Sequence, residues 1–132
     1  MITIALVDDE NSIRTSVSLA LESEVFSVDV FPNGIEALEA LESKSYDLGL
    51  FDIKMPKMDG NELLAKVRSS KKNELKEMPI IFLTSKDQEQ DEIIGLRMGA
   101  ADYITKPFSQ KLLTERIRTV LRVYQNRKAL FN

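Results

Sequence analysis

The sequence predicts an α/β domain, a doubly wound parallel sheet of five strands with five helices on its two faces. Five short apolar runs recur along the chain: Ile2–Val7, Ser27–Phe31, Leu48–Phe51, Ile80–Leu83 and Tyr103–Ile104. Helical spacing fills the stretches between them, so strand and helix alternate strictly. The runs ITIALV, LGLF and IIFL are apolar nearly throughout, as strands covered on both faces are.

Each element has its own signal. After Ile2–Val7, the residues Ile13, Val17 and Leu21 line up on one helical face behind a cap at Asn11 or Ser12. Ser27–Phe31 (SVDVF) alternates and reads as an edge strand, followed by a helix carrying Ile35, Leu38 and Leu41. Leu48–Phe51 leads to a third helix with Leu63, Leu64 and Val67. Lys71-Lys72-Asn73-Glu74 reads as a polar loop before Ile80–Leu83. Ile93, Ile94 and Leu96 mark the fourth helix, and Leu113, Ile117, Val120, Leu121 and Tyr124 the fifth. All these stripes are assigned to core packing.

Composition narrows the function. A chain of 132 residues suits one domain. A net charge of −3 argues against a chain built as a whole for DNA or an anionic membrane. With no Cys and no His, disulfides, thiolate chemistry, imidazole catalysis and a phosphohistidine role are all excluded. Nothing approaches a transmembrane span, and MITIALVDDE lacks the basic start of a signal peptide, so the expected location is the cytoplasm.

The chemistry gathers at strand ends. The first strand stops on Asp8-Asp9-Glu10 and the third on Asp52. Those strands are neighbours in a doubly wound sheet, and ligands bind outside the carboxyl ends of such strands. Carboxylates so close repel one another unless a cation sits among them. Hard oxygen donors with no soft ligand in the chain select Mg²⁺ or Mn²⁺, which readily takes a phosphate oxygen as well. Thr84-Ser85 ends the fourth strand and Lys106-Pro107-Phe108 follows the fifth, placing hydroxyls and an ammonium at the same rim. Together these residues predict a phosphoryl-binding pocket, with Lys106 neutralising charge and Thr84 donating a hydrogen bond.

In that order, Asp8-Asp9, Asp52 with Met55-Pro56 and Met58-Asp59-Gly60, Thr84, and Lys106-Pro107-Phe108 resemble the receiver domain of two-component response regulators. GAADYITKPFS and LLTERIRTVLR are similar to the OmpR/PhoB class, and FDIKMPKMDG with IFLTSKDQEQDE to the alphaproteobacterial ChvI regulators. The resemblance implies the flavodoxin/CheY-like strand order 2-1-3-4-5. It also implies that Asp52 is the phosphoacceptor for a sensor histidine kinase. Mg²⁺ would be held by Asp9, Asp52 and the Lys54 carbonyl, with Asp8 acting through water. Thr84 and Tyr103 would be the switch pair, and Lys106 would contact the phosphoryl oxygens next to a cis bond to Pro107. The receiver would occupy residues 1–122, with 123–132 the end of the last helix and the start of a linker. DNA would be reached only through a winged-helix domain outside these residues; the alternative is a stand-alone phosphoryl shuttle.

Departures from the family pattern set further expectations. Phosphorylation is expected to promote a homodimer through the fourth helix, fifth strand and fifth helix, which is a regulatory switch rather than an enzyme. Glu92 and Leu112 stand where relatives place an Arg–Glu pair, and Ala101 replaces an acid. Asp102 and Arg116 remain as a pair for that surface, with Arg118 and Arg97 nearby. Lys54 and Lys86 should border the pocket, slowing admission of Mg²⁺ and favouring anions. A dehalogenase-like phosphatase, which also uses an Asp at a strand end, wants a second Asp at the position of Lys54.

Overall fold

A computed structural model describes residues 1–85 and 87–131, with side chains through Lys128. The elements run β1 (Thr3–Val7), α1 (Asn11–Ser23), β2 (Ser27–Phe31), α2 (Gly34–Ser43), β3 (Leu48–Asp52), α3 (Gly60–Arg68), α4 (Asn73–Lys76), β4 (Ile80–Thr84), α5 (Glu89–Arg97), β5 (Asp102–Thr105) and α6 (Gln110–Phe131). Five parallel strands stand in the order β2-β1-β3-β4-β5, as predicted, with β2 at one edge.

The apolar runs explain the layering. Successive strand side chains point to opposite faces, so each run feeds two cores. On one face Ala5, Val7, Phe51, Ile53, Ile80 and Phe82 pack with Ala37 and Leu41 of α2 and Leu63, Leu64 and Val67 of α3. On the other, Ile4, Leu6, Leu48, Leu50, Ile81, Leu83 and Ile104 pack with Val17 and Leu21 of α1 and Leu113, Ile117 and Leu121 of α6.

Five local readings change. The polar loop holds a sixth helix, the single turn α4, because Leu75 is buried and anchors it. The first cap falls on Glu10, whose side chain makes no capping bond, so Asn11 and Ser12 lie within the helix. Arg14 donates to the Asp8 carbonyl at 2.7 Å and the Asp8 carboxylate accepts from the Glu10 amide at 2.9 Å, which turns the chain into the helix early. Helix α2 buries Gly34, Ala37 and Leu41 but leaves Ile35 exposed. Helix α5 buries only Gly95, with Ile93, Ile94 and Leu96 all exposed. A Cβ on Gly95 would run into the Phe82 ring, so this helix meets the sheet through a residue without a side chain, and the larger residues flanking it point outward. Finally, α6 continues unbroken to Phe131, so residues 123–131 are helical.

Candidate functional site

The switch point of strand order lies between β1 and β3, where the connections run to opposite sides. Val7 pairs in register with Phe51, and Asp52 with Leu83. Asp8 therefore stands beside Asp52, and Thr84 lies one step further along the neighbouring strand. Carboxylate oxygens of Asp8, Asp9 and Asp52 all lie within 4.8 Å of one another. Asp8 is fully buried and Asp52 is 6% exposed, whereas Asp9 faces solvent.

Lys106 closes this cluster. Its ammonium donates to Asp8 at 2.9 Å and to Asp52 at 3.4 Å, and its amide donates to the Thr84 carbonyl at 2.6 Å. Its bond to Pro107 is cis. Burial drives the Asp52 carboxyl up to about 7, the Asp8 and Asp9 charges push the same way, and the Lys106 charge only partly offsets them. Burial alone would lower the Lys106 pKa, but its hydrogen bond to Asp8 and the charge of Asp52 prevail and raise it. One ammonium thus serves several acids, and the set remains short of positive charge. Three hard oxygen donors around such a deficit fit a small divalent cation.

The segment after Asp52 explains the MDG motif. Asp59 caps α3 by accepting from the Glu62 amide at 2.8 Å. Gly60 donates to the Ile53 carbonyl at 2.7 Å, and a Cβ there would run into the Asp52 carbonyl oxygen. The loop can fold back under the acid only because Gly60 has no side chain. The motif was visible in the sequence; the contact that requires it was not.

Other expected residues are placed differently. The Thr84 hydroxyl is fully buried and donates to Glu92 of α5 at 2.8 Å. Glu92, expected on an exposed dimer surface, is thus partly buried and turned toward the rim. The Ser85 hydroxyl donates to Asp87 in its own loop at 2.7 Å rather than to the acids. The Lys54 side chain pairs with Asp91 of α5 at 3.3 Å; Lys86 lies outside the described residues. Tyr103 sits exposed on β5, beside Phe82 in register. Asp102 and Arg116 pair with each other at 3.0 Å within the chain. Arg97 and Leu112 are exposed. Arg118 turns away from them, pairing with Glu24 at 2.9 Å and lying over the Phe26 ring. Two positions along a helix rotate a side chain by about 200°, which carries Arg118 to the opposite side from Arg116.

Known proteins share both the fold and the sequence. The chain is 38% identical to the regulatory protein VanRc of Enterococcus gallinarum over 122 residues, covering 92% of this chain and 51% of that protein. It is 40% identical to the alkaline phosphatase synthesis transcriptional regulatory protein PhoP of Bacillus subtilis over 119 residues, covering 90% and 48%. The chain therefore spans about half the length of these curated relatives. A CheY-like response regulator receiver domain from Methanospirillum hungatei superposes with a TM-score of 0.89 at 31% identity, covering 96% of this chain and 98% of that one. The family model of the response regulator receiver domain matches residues 4–118, which contain the carboxyl ends of all five strands, and the chain belongs to that family.

Proposed function

We propose that this chain is the phosphoacceptor module of a transcriptional response regulator, with Asp52 as the residue modified. The observation that carries this reading is the meeting of the Asp8, Asp9 and Asp52 oxygens within 4.8 Å, with the Lys106 ammonium reaching two of them. Asp9, Asp52 and the Lys54 carbonyl would hold Mg²⁺ or Mn²⁺, with Asp8 helping. The bound cation would supply positive charge that favours ionised Asp52 and attracts a phosphoryl oxygen.

The chain's own groups do the rest. An ionised Asp52 oxygen forms a bond to phosphorus as the bond from phosphorus to the kinase's phosphohistidine nitrogen breaks, giving an acyl phosphate. Lys106 neutralises charge on the transferred group, and Thr84 turns to donate to one of its oxygens. Tyr103 then moves into the space Thr84 leaves. The surface of α5, β5 and α6 is rebuilt and a homodimer forms through it, making this a switch rather than a catalyst of turnover.

Relatives that are transcriptional regulatory proteins about twice as long support a DNA-binding domain outside these residues. FDIKMPKMDG and IFLTSKDQEQDE support closeness to the ChvI regulators, within the OmpR/PhoB class. Among the described residues no helix is long and apolar enough to cross a membrane, and action in the cytoplasm accords with a kinase partner. Acetyl phosphate with Mg²⁺, followed by intact mass measurement, tests the assignment: wild type should gain one phosphoryl mass and Asp52→Asn none. An adduct on both, or on neither, overturns it.

A further inference from the structure

We propose that Glu92 is a latch on Thr84, holding its hydroxyl toward α5 until phosphoryl uptake at Asp52 draws it away. The inference rests on Asp52 being the phosphoacceptor. A threonine hydroxyl has one proton to give. Here that proton goes to the Glu92 carboxylate at 2.8 Å, from a side chain with no solvent exposure. Thr84 cannot also donate to a phosphoryl oxygen, so the two bonds exclude each other. A bond to a carboxylate in a partly buried setting is among the stronger kinds.

A second contact ties the same helical turn to the same rim. Asp91, next to Glu92, pairs with Lys54, two residues past Asp52, at 3.3 Å. Acids in a first helical turn are favoured by the helix dipole, and α5 carries Glu89, Asp91 and Glu92 there. Gly95 is the one buried residue of this helix, so no large side chain anchors it in the core. A new negative charge at Asp52 attracts both Thr84 and Lys54, the two donors that engage these acids. Releasing Glu92 would detach α5 from the rim and leave a free carboxylate beside β5.

Rates of phosphoryl uptake from acetyl phosphate, followed by intact mass, test the latch with Glu92→Ala, Glu92→Gln and each combined with Thr84→Ala. Glu92→Ala should take up phosphoryl about tenfold faster than wild type, the ratio set by about 1.4 kcal/mol. Glu92→Gln keeps an acceptor oxygen but loses the charge that strengthens the bond, and its rate should fall between those of wild type and Glu92→Ala. In the Thr84→Ala background, Glu92→Ala should change nothing. Nuclear magnetic resonance of unmodified protein gives a second readout: a slowly exchanging Thr84 hydroxyl proton in wild type and Glu92→Gln, absent in Glu92→Ala. The latch is overturned by a wild-type rate in Glu92→Ala, by equal acceleration in Glu92→Gln (a charge effect), or by acceleration that persists without Thr84. No uptake by wild type, or uptake by Asp52→Asn, would instead bring down the phosphoacceptor assignment beneath it.

Discussion

Asp52 concentrates the physical tension of the molecule in one side chain. Its folded pKa of about 7 lies above the ordinary 3.8, so the folded protein binds this proton more tightly than the unfolded chain does. The resulting stability is full below the ordinary value and is lost as pH rises through about 7. In the absence of divalent cation, stability toward urea should therefore fall between about pH 4 and about pH 7, and Asp52→Asn should flatten that slope. A slope unchanged in Asp52→Asn would show that another group sets it. Adding Mg²⁺ at about 100 times its dissociation constant should raise stability by about 2.7 kcal/mol at the higher pH, with a smaller gain in Asp9→Asn; thermal melts with and without chelator measure this. The acids and Lys106 were legible in the sequence because backbone topology alone carries them to one rim. The partner of Thr84 was not, since it depends on how α5 is rotated over the sheet.

At the level of elements, glycine contacts decide where two helices begin or lie. In an isolated helix, replacing Gly by Ala adds about 1 kcal/mol of stability. Gly60→Ala should do the reverse, because its new Cβ would collide with the Asp52 carbonyl oxygen and backbone cannot move aside cheaply. A loss of about 1–3 kcal/mol in urea unfolding is expected. Gly95→Ala should cost a similar amount by pressing on the buried Phe82 ring, and should also weaken the contact between Thr84 and Glu92. Periodicity found both helices but chose the wrong core stripe in α5, because it weighs large apolar residues and cannot see that the sheet is met by a glycine. The same blindness moved the α2 stripe from Ile35 to Ala37.

For the molecule as a whole, the α5, β5 and α6 surface is more apolar than a face joined by ion pairs would be. Ile93, Leu96, Tyr103 and Leu112 are exposed there, while Asp102 and Arg116 satisfy each other within the chain. Dimerisation after phosphorylation should then depend on apolar contact. Leu112→Asp should weaken the phosphorylated dimer by about tenfold in sedimentation, while Arg118→Ala, facing Glu24, should leave it unchanged. Equal loss in both variants would place the interface elsewhere. The sequence by itself determined a parallel sheet of five strands with acids at the strand ends, because apolar runs alternate with helical spacing, while the exact strand order was implied by the resemblance its motifs carry. Only the tertiary structure decided that Thr84 meets Glu92 and Lys54 meets Asp91, because α5 turns to the sheet through Gly95, a residue that adds nothing to an apolar stripe.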